Sequence, residues 1–233
     1  MEDRLLVAVG LADMCEVASA LFAFPTPELA AALSEGAASE DLLGCFGDAG
    51  AHDAGEPLEA AFSGFVSRDP DDLLGSLRRG HSLLYLAPGG DVPVWPYESP
   101  FCFVADGREG EPSLFRSPRQ IDVERHMREA GVLPKDARTE PADSAWNELS
   151  FMSYLYGQVA KALHEGREGD GAEWSGRIVR FWDEHASKWL PAFMAKTAEG
   201  ASSLSCGAEY AALAEVGSLI LDAVGADIDS RRL

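Results

Sequence analysis

Apolar residues recur at helical spacing along most of this chain, and prolines and glycines cut the pattern into short lengths. Residues 69–85 illustrate the rule. Asp69 offers an N-cap oxygen, Pro70 suits the first helical position, and Leu73, Leu74, Leu77, His81, Leu84 and Tyr85 form one stripe. The same reading predicts a helix over residues 3–24, ended by Pro25 and Pro27, a short helix over 29–33, and another over 56–67. Residues 36–55, rich in Gly, Ala and acid, read as a short helix and a loop. Ser117-Pro118 opens a helix over 121–130, and Gly131 follows where a left-handed C-cap is wanted. A long helix is expected from Glu140-Pro141 to about residue 165, with an acidic first turn. A turn at 166–171, a helix over 173–186, another starting near Pro191 and a last one over 208–224 complete the pattern.

No stretch has sustained strand alternation bounded by hairpin turns, and no period repeats. The expected fold is therefore all-α, a single globular helical bundle of about ten helices. Within it, residues 1–91 form an N-terminal half and 119–233 a C-terminal half. The proline-rich residues 92–118 read as an extended connection across the surface.

The chain has 233 residues, 46% of them hydrophobic, enough for a substantial core. Its formal net charge of −20 repels phosphate backbones and anionic lipid, which excludes nucleic acid and membrane surfaces as partners and favours a basic peptide or protein. The same acidity also serves solubility. Cys15, Cys45, Cys102 and Cys206 are scattered, which suits free thiols in a reducing cytosol better than disulfides or a zinc site. Residues 5–12 are apolar, but Glu2 and Asp3 stand where an export signal carries positive charge. Neither an export signal nor a membrane span is expected.

The compact catalytic signatures are missing, including phosphate-binding loops, the nucleophile elbow and H-E-x-x-H. Gly169-Asp170-Gly171 reads as a turn. The histidines 52, 81, 126, 164 and 185 include no pair at i, i+4 spacing, so no metal site is expected. His185 shares a face with Ile178, Trp182 and Trp189 and reads as a packed core histidine. Asp183-Glu184-His185 point in different directions on a helix, which argues against an acid/base cluster.

In the long helix, Trp146, Leu149, Met152, Tyr156, Val159 and Leu163 make the buried stripe, and Glu148 falls at its flank with Leu155. A carboxylate there must reach solvent, find a cationic partner, or hold its proton more tightly. Glu140 and Asp143 suit a first helical turn for structural reasons alone. Residues 94–101, Val-Trp-Pro-Tyr-Glu-Ser-Pro-Phe, set aromatic rings in a proline-stiffened loop. The rings can pack as satellite core or line a groove for an extended peptide.

Pro96 to Phe101, then 121–131, then Glu140-Pro141-x-Asp143 running into Glu148-Leu149-x-Phe151-Met152, then Phe181-Trp182-x-x-His185-x-x-x-Trp189-x-Pro191-x-Phe193, resemble in order and spacing the TorD/DmsD family of cytoplasmic redox-enzyme maturation chaperones. The resemblance runs from about residue 84 to 193. It implies an all-helical, non-enzymatic protein without a cofactor of its own. Its implied partner is the precursor of a molybdenum-cofactor oxidoreductase of the dimethyl sulfoxide reductase type, bound through its twin-arginine leader peptide, so that export waits for cofactor insertion. By position, the leader-binding candidates are Trp95, Tyr97, Glu98 and Ser99 from the loop and Glu140, Asp143 and Trp146 from the helix start. Tyr85, Glu148, His185 and Trp189 are supporting candidates. The family commonly has His after the aspartate, where this chain has Ser144, which bears on client identity. Family members exchange helical halves, so a monomer or a helix-swapped dimer is implied, with 92–118 as hinge. Two other readings stay open: a helical adaptor that binds a mature redox enzyme without its leader, and an enzyme using Glu148 or His185.

Overall fold

The computed structural model describes residues 2–86, 91–134, 140–205 and 207–232. Among these the regular structure is helical, with an isolated β-bridge between Tyr97 and Ser144. The helices are α1 (Glu2–Phe22), α2 (Pro27–Glu35), α3 (Ala37–Asp48), α4 (Gly55–Phe62), α5 (Pro70–His81), α6 (Glu98–Ala105), α7 (Pro118–Glu129), α8 (Ala145–His164), α9 (Glu168–Phe181), α10 (Ser187–Ser202) and α11 (Ala208–Arg231). Residues Ser82–Leu86 and Trp182–Ala186 are π-helical turns.

Several starts are locally encoded. Thr26 and Asp69 cap helices whose first residue is proline, and Ser117 does the same for α7. Gly131 takes φ 81°, the left-handed region that glycine enters without strain. Other boundaries differ from the periodic reading. The proline-rich segment contains α6, because Asp143 supplies the cap that Tyr97 lacks. Gly169 and Gly171 lie in the first turn of α9, where Glu168 and Asp170 favour the positive end of the helix dipole. Pro191 lies inside α10, just beyond the π turn. It has no N–H to donate to Ser187, so the helical ladder is interrupted there while the rod continues.

One contiguous hydrophobic core runs from Ala8 to Ile228. Helix α1 packs along α8 and against α3, and α10 pairs with α11. By length and composition α1 could cross a membrane. Here Leu11, Met14, Leu21 and Phe22 are buried in the protein core instead. A Cβ at Gly10 would stand 2.6 Å from the Cys45 carbonyl oxygen, so the α1–α3 approach requires glycine there. Cys15, Cys45 and Cys102 are free thiols, and burial pushes them up to about 12, 11 and 11, respectively. Such thiols are poor nucleophiles. Cys206 lies outside the described residues.

Candidate functional site

Helices α6 and α8 begin beside each other, and each completes the other's N-terminus. The Ala145 amide at the start of α8 donates to the Pro96 carbonyl at 2.9 Å, and the Glu98 amide donates to the Asp143 carbonyl at 2.8 Å. Ser144, not the acidic pair, caps α8: its Oγ accepts from the Asn147 amide at 3.2 Å. Glu140 and Asp143 therefore precede the helix. Ser144 thus has a local structural role as the cap of α8.

The Asp143 carboxylate faces inward. Its Oδ2 accepts from the Ser99 amide at 3.0 Å and from the Ser99 hydroxyl, satisfying a free donor of α6. Burial raises the Asp143 pKa, and the bonds from Ser99 oppose that rise. Glu98, fully buried, accepts from Arg119 Nη1 at 3.0 Å through Oε1 and lies 2.8 Å from His185 Nδ1 through Oε2. Glu148 is also fully buried, and its Oε2 accepts from Trp189 Nε1 at 2.9 Å. Burial, followed by the nearby Glu98 charge, raises the Glu148 pKa well above the ordinary range. Its environment is thus neither solvent nor a cationic partner. The Ser99 amide at the N-terminus of α6 lowers the cost of burying the Asp143 carboxylate.

Above this floor lie half-buried rings. Tyr97 and Trp146 meet edge to face, with centroids 5.7 Å apart. The Tyr97 hydroxyl hydrogen-bonds Glu140, and burial followed by the Glu140 charge raises its pKa. Trp95 and Glu140 are half-buried too. Trp146 is anchored from below through its carbonyl, which accepts from Ser19 Oγ at 2.8 Å, and its ring lies 6.4 Å from that of His81. Tyr85 lies deeper, within hydrogen-bonding distance of Thr197 Oγ1 at 3.1 Å.

The structure thus brings together the loop and helix-start candidates and separates them by depth. Glu98, Ser99 and Asp143 are interior, with Glu148, His185 and Trp189 behind them. Trp95, Tyr97, Glu140 and Trp146 remain half-buried. These three rings and Glu140 are therefore the more accessible members of the group.

Sequence reasoning missed a cluster on the other side of Glu98. His185 Nε2 lies 3.2 Å from Asp122 Oδ2, and His126 Nε2 lies 2.7 Å from Glu184 Oε2. The histidine and carboxylate donor atoms of these residues lie within 4.8 Å of one another. A search for histidine pairs overlooked the aspartate–histidine pair at i, i+4 on α7. The π turn, wider than an α turn, lets consecutive Glu184 and His185 both face that helix.

A family model described as nitrate reductase delta subunit matches residues 48–195. The match extends from the end of α3 into α10 and contains both helix starts, α7 and the π turn. No curated protein and no solved structure matches the chain. The matched residues are more than half of the chain and include each motif that met at the α6–α8 junction, so the protein belongs to the nitrate reductase delta subunit family, the chaperones of molybdoenzymes.

Proposed function

We propose that this protein is a cytoplasmic chaperone that binds the twin-arginine leader, and the cofactor-free form, of a molybdenum-cofactor oxidoreductase of the dimethyl sulfoxide reductase type. It assists cofactor insertion and delays export until the enzyme is loaded. Family membership supports the maturation role. The observation that carries the leader-binding part is the junction of 96–98 with 143–145, which sets Tyr97 and Trp146 side by side with Glu140.

The chemistry of a leader suits this surface. Its two guanidiniums pair with carboxylates, and its apolar segment lies on rings that lose little entropy on binding. Glu140 and the acidic surface are the proposed partners for the arginines. Asp143 and Glu98, engaged internally, shape the site instead of contacting the leader. The net charge of −20 speeds encounter, over a range screened beyond about 8 Å at physiological salt. Handover requires release, and an affinity near micromolar, about 8 kcal/mol, permits it.

The test is titration of the purified protein with leader peptides, read by calorimetry. Trp146→Ala, Tyr97→Ala and Glu140→Gln are each expected to weaken binding by about tenfold, or ~1.4 kcal/mol. Equal affinity for a leader whose two arginines are replaced by glutamine would remove the electrostatic part of the proposal. Recovery of only a mature, leaderless enzyme on co-purification would favour the adaptor reading.

A further inference from the structure

We propose that Asp122, His126, Glu184 and His185 form a binding site for a divalent first-row transition ion, with zinc as the principal candidate, that ties α7 to the π turn between α9 and α10. The proposal is independent of the leader-binding reading.

The geometry is that of a collapsed four-ligand site. The close pairs, His185 Nε2 to Asp122 Oδ2 at 3.2 Å and His126 Nε2 to Glu184 Oε2 at 2.7 Å, lie near the ligand–ligand edge of a tetrahedral zinc centre, about 3.3 Å for zinc–nitrogen bonds of about 2.0–2.1 Å. All four ligand atoms fall within 4.8 Å of one another, so small side-chain rotations can centre an ion. Two imidazoles and two carboxylates suit zinc and its neighbours better than calcium or magnesium, which prefer oxygen alone.

Hydrogen bonding around the His185 ring supports the same conclusion. Glu98 Oε2, 2.8 Å from His185 Nδ1, is a carboxylate and can only accept, so a neutral ring donates to it through Nδ1. The Nε2 lone pair then faces the Asp122 carboxylate, and two acceptors confront each other unless a cation lies between them. A buried carboxylate holding the far nitrogen of a ligand histidine is also the outer partner that orients metal-bound imidazole. His126 Nε2 lies 2.7 Å from Glu184 Oε2 and 3.3 Å from Arg125 Nη2, and its Nδ1 lies 3.4 Å from Arg180 Nη2. Without an ion the ring therefore donates to Glu184 and accepts from Arg180, and a metal at Nε2 takes the place of that donated proton. The Arg125 guanidinium stands where positive charge is wanted, with Nη2 2.7 Å from Asp122 Oδ1 and 3.8 Å from Glu184 Oε2. It is 45% exposed and also paired with Glu129, so it can withdraw toward Glu129 when an ion enters. A proton shared by His185 and Asp122 is the competing source of positive charge, and the experiment distinguishes it from a metal.

Chelator-stripped full-length protein is titrated with zinc chloride by calorimetry, and with cobalt(II) followed by visible absorption. One equivalent of zinc at micromolar affinity or tighter, a zinc-dependent rise in Tm, and the d–d absorption of four-coordinate cobalt are expected. Asp122→Asn and Glu184→Gln alter partly exposed carboxylates and spare the core, and each is expected to weaken zinc at least tenfold. His126→Gln and His185→Gln should do the same, Glu98→Gln should weaken zinc by about 10- to 100-fold through the outer partner, and His164→Gln on the exposed end of α8 should change nothing. Absence of zinc and cobalt binding by the wild-type chain overturns the proposal. So does binding that Asp122→Asn and Glu184→Gln change by less than about threefold, and these two variants decide the matter if the histidine variants do not fold.

Discussion

Asp143 caps a helix to which it does not belong: its carboxylate accepts from the Ser99 amide at 3.0 Å, in the first turn of α6, forty-four positions away in the chain. Tyr97, at the N-cap position itself, provides no side-chain cap. The acid that precedes α8 therefore stabilises α6, and a role in contacting a ligand must be separated from this structural one.

Asp143→Ala is expected to lower stability by about 1–2 kcal/mol, the range for losing an N-cap, in urea denaturation. Glu140→Gln, which leaves that cap intact, should hold stability within about 0.5 kcal/mol while weakening leader binding. A loss of leader affinity in Asp143→Ala that vanishes under strongly stabilising conditions identifies it as structural. A loss that persists under those conditions would place Asp143 in contact with the ligand.

Glu148→Gln should stabilise the protein at neutral pH. The folded state raises the Glu148 pKa through burial, so its contribution is fully present below the ordinary value of 4.5 and is lost as pH rises through the folded value. Glutamine keeps an oxygen for Trp189 Nε1 and removes the charge. The stability difference between variant and wild type should therefore be near zero below pH 4.5 and grow by up to about 1.4 kcal/mol per pH unit above it. Chemical denaturation across this range measures it, and an unchanged difference would show that the carboxyl is not the titrating group.

His81 produces the opposite trend. Its ring is enclosed by Phe24, Tyr85, Trp146 and Tyr210, and burial pulls its pKa from 6.5 to about 4. The unfolded chain then takes up a proton near pH 6.5 that the folded chain refuses until about pH 4. Stability present above pH 6.5 is lost as pH falls through that window, by up to about 3 kcal/mol in all. His81→Phe keeps an aromatic ring in the same enclosure and should flatten the stability profile there. A profile as steep as that of the wild type would assign the acid sensitivity to other groups.

The helix starts with local signals were legible where cap and first turn lie in one short stretch, as at Asp69-Pro70 and Ser117-Pro118. The start of α8 was misplaced because two candidate caps, Asp143 and Ser144, are adjacent, and only the fold determines which one turns toward α8. Helix α6 was hidden for a related reason. Its cap comes from a distant segment, and its sequence of prolines and aromatics resembles a loop. The face around Tyr97, Glu140 and Trp146 was anticipated from motif order, whereas the cluster around His126 and His185 was not, because its members come from two helices and a π turn.

Periodicity and cap residues by themselves determined that this protein is helical and where many of its helices begin, because helix formation depends on neighbours within four residues. The motifs from Pro96 to Phe193 likewise carried its family. The use of its buried acids was decided only by tertiary structure. Glu98 lies against His185 and Arg119, Glu148 accepts from Trp189, and Asp143 accepts from Ser99. Whether a carboxylate is exposed, paired or held neutral depends on the groups that surround it in space, and here those groups come from distant parts of the chain.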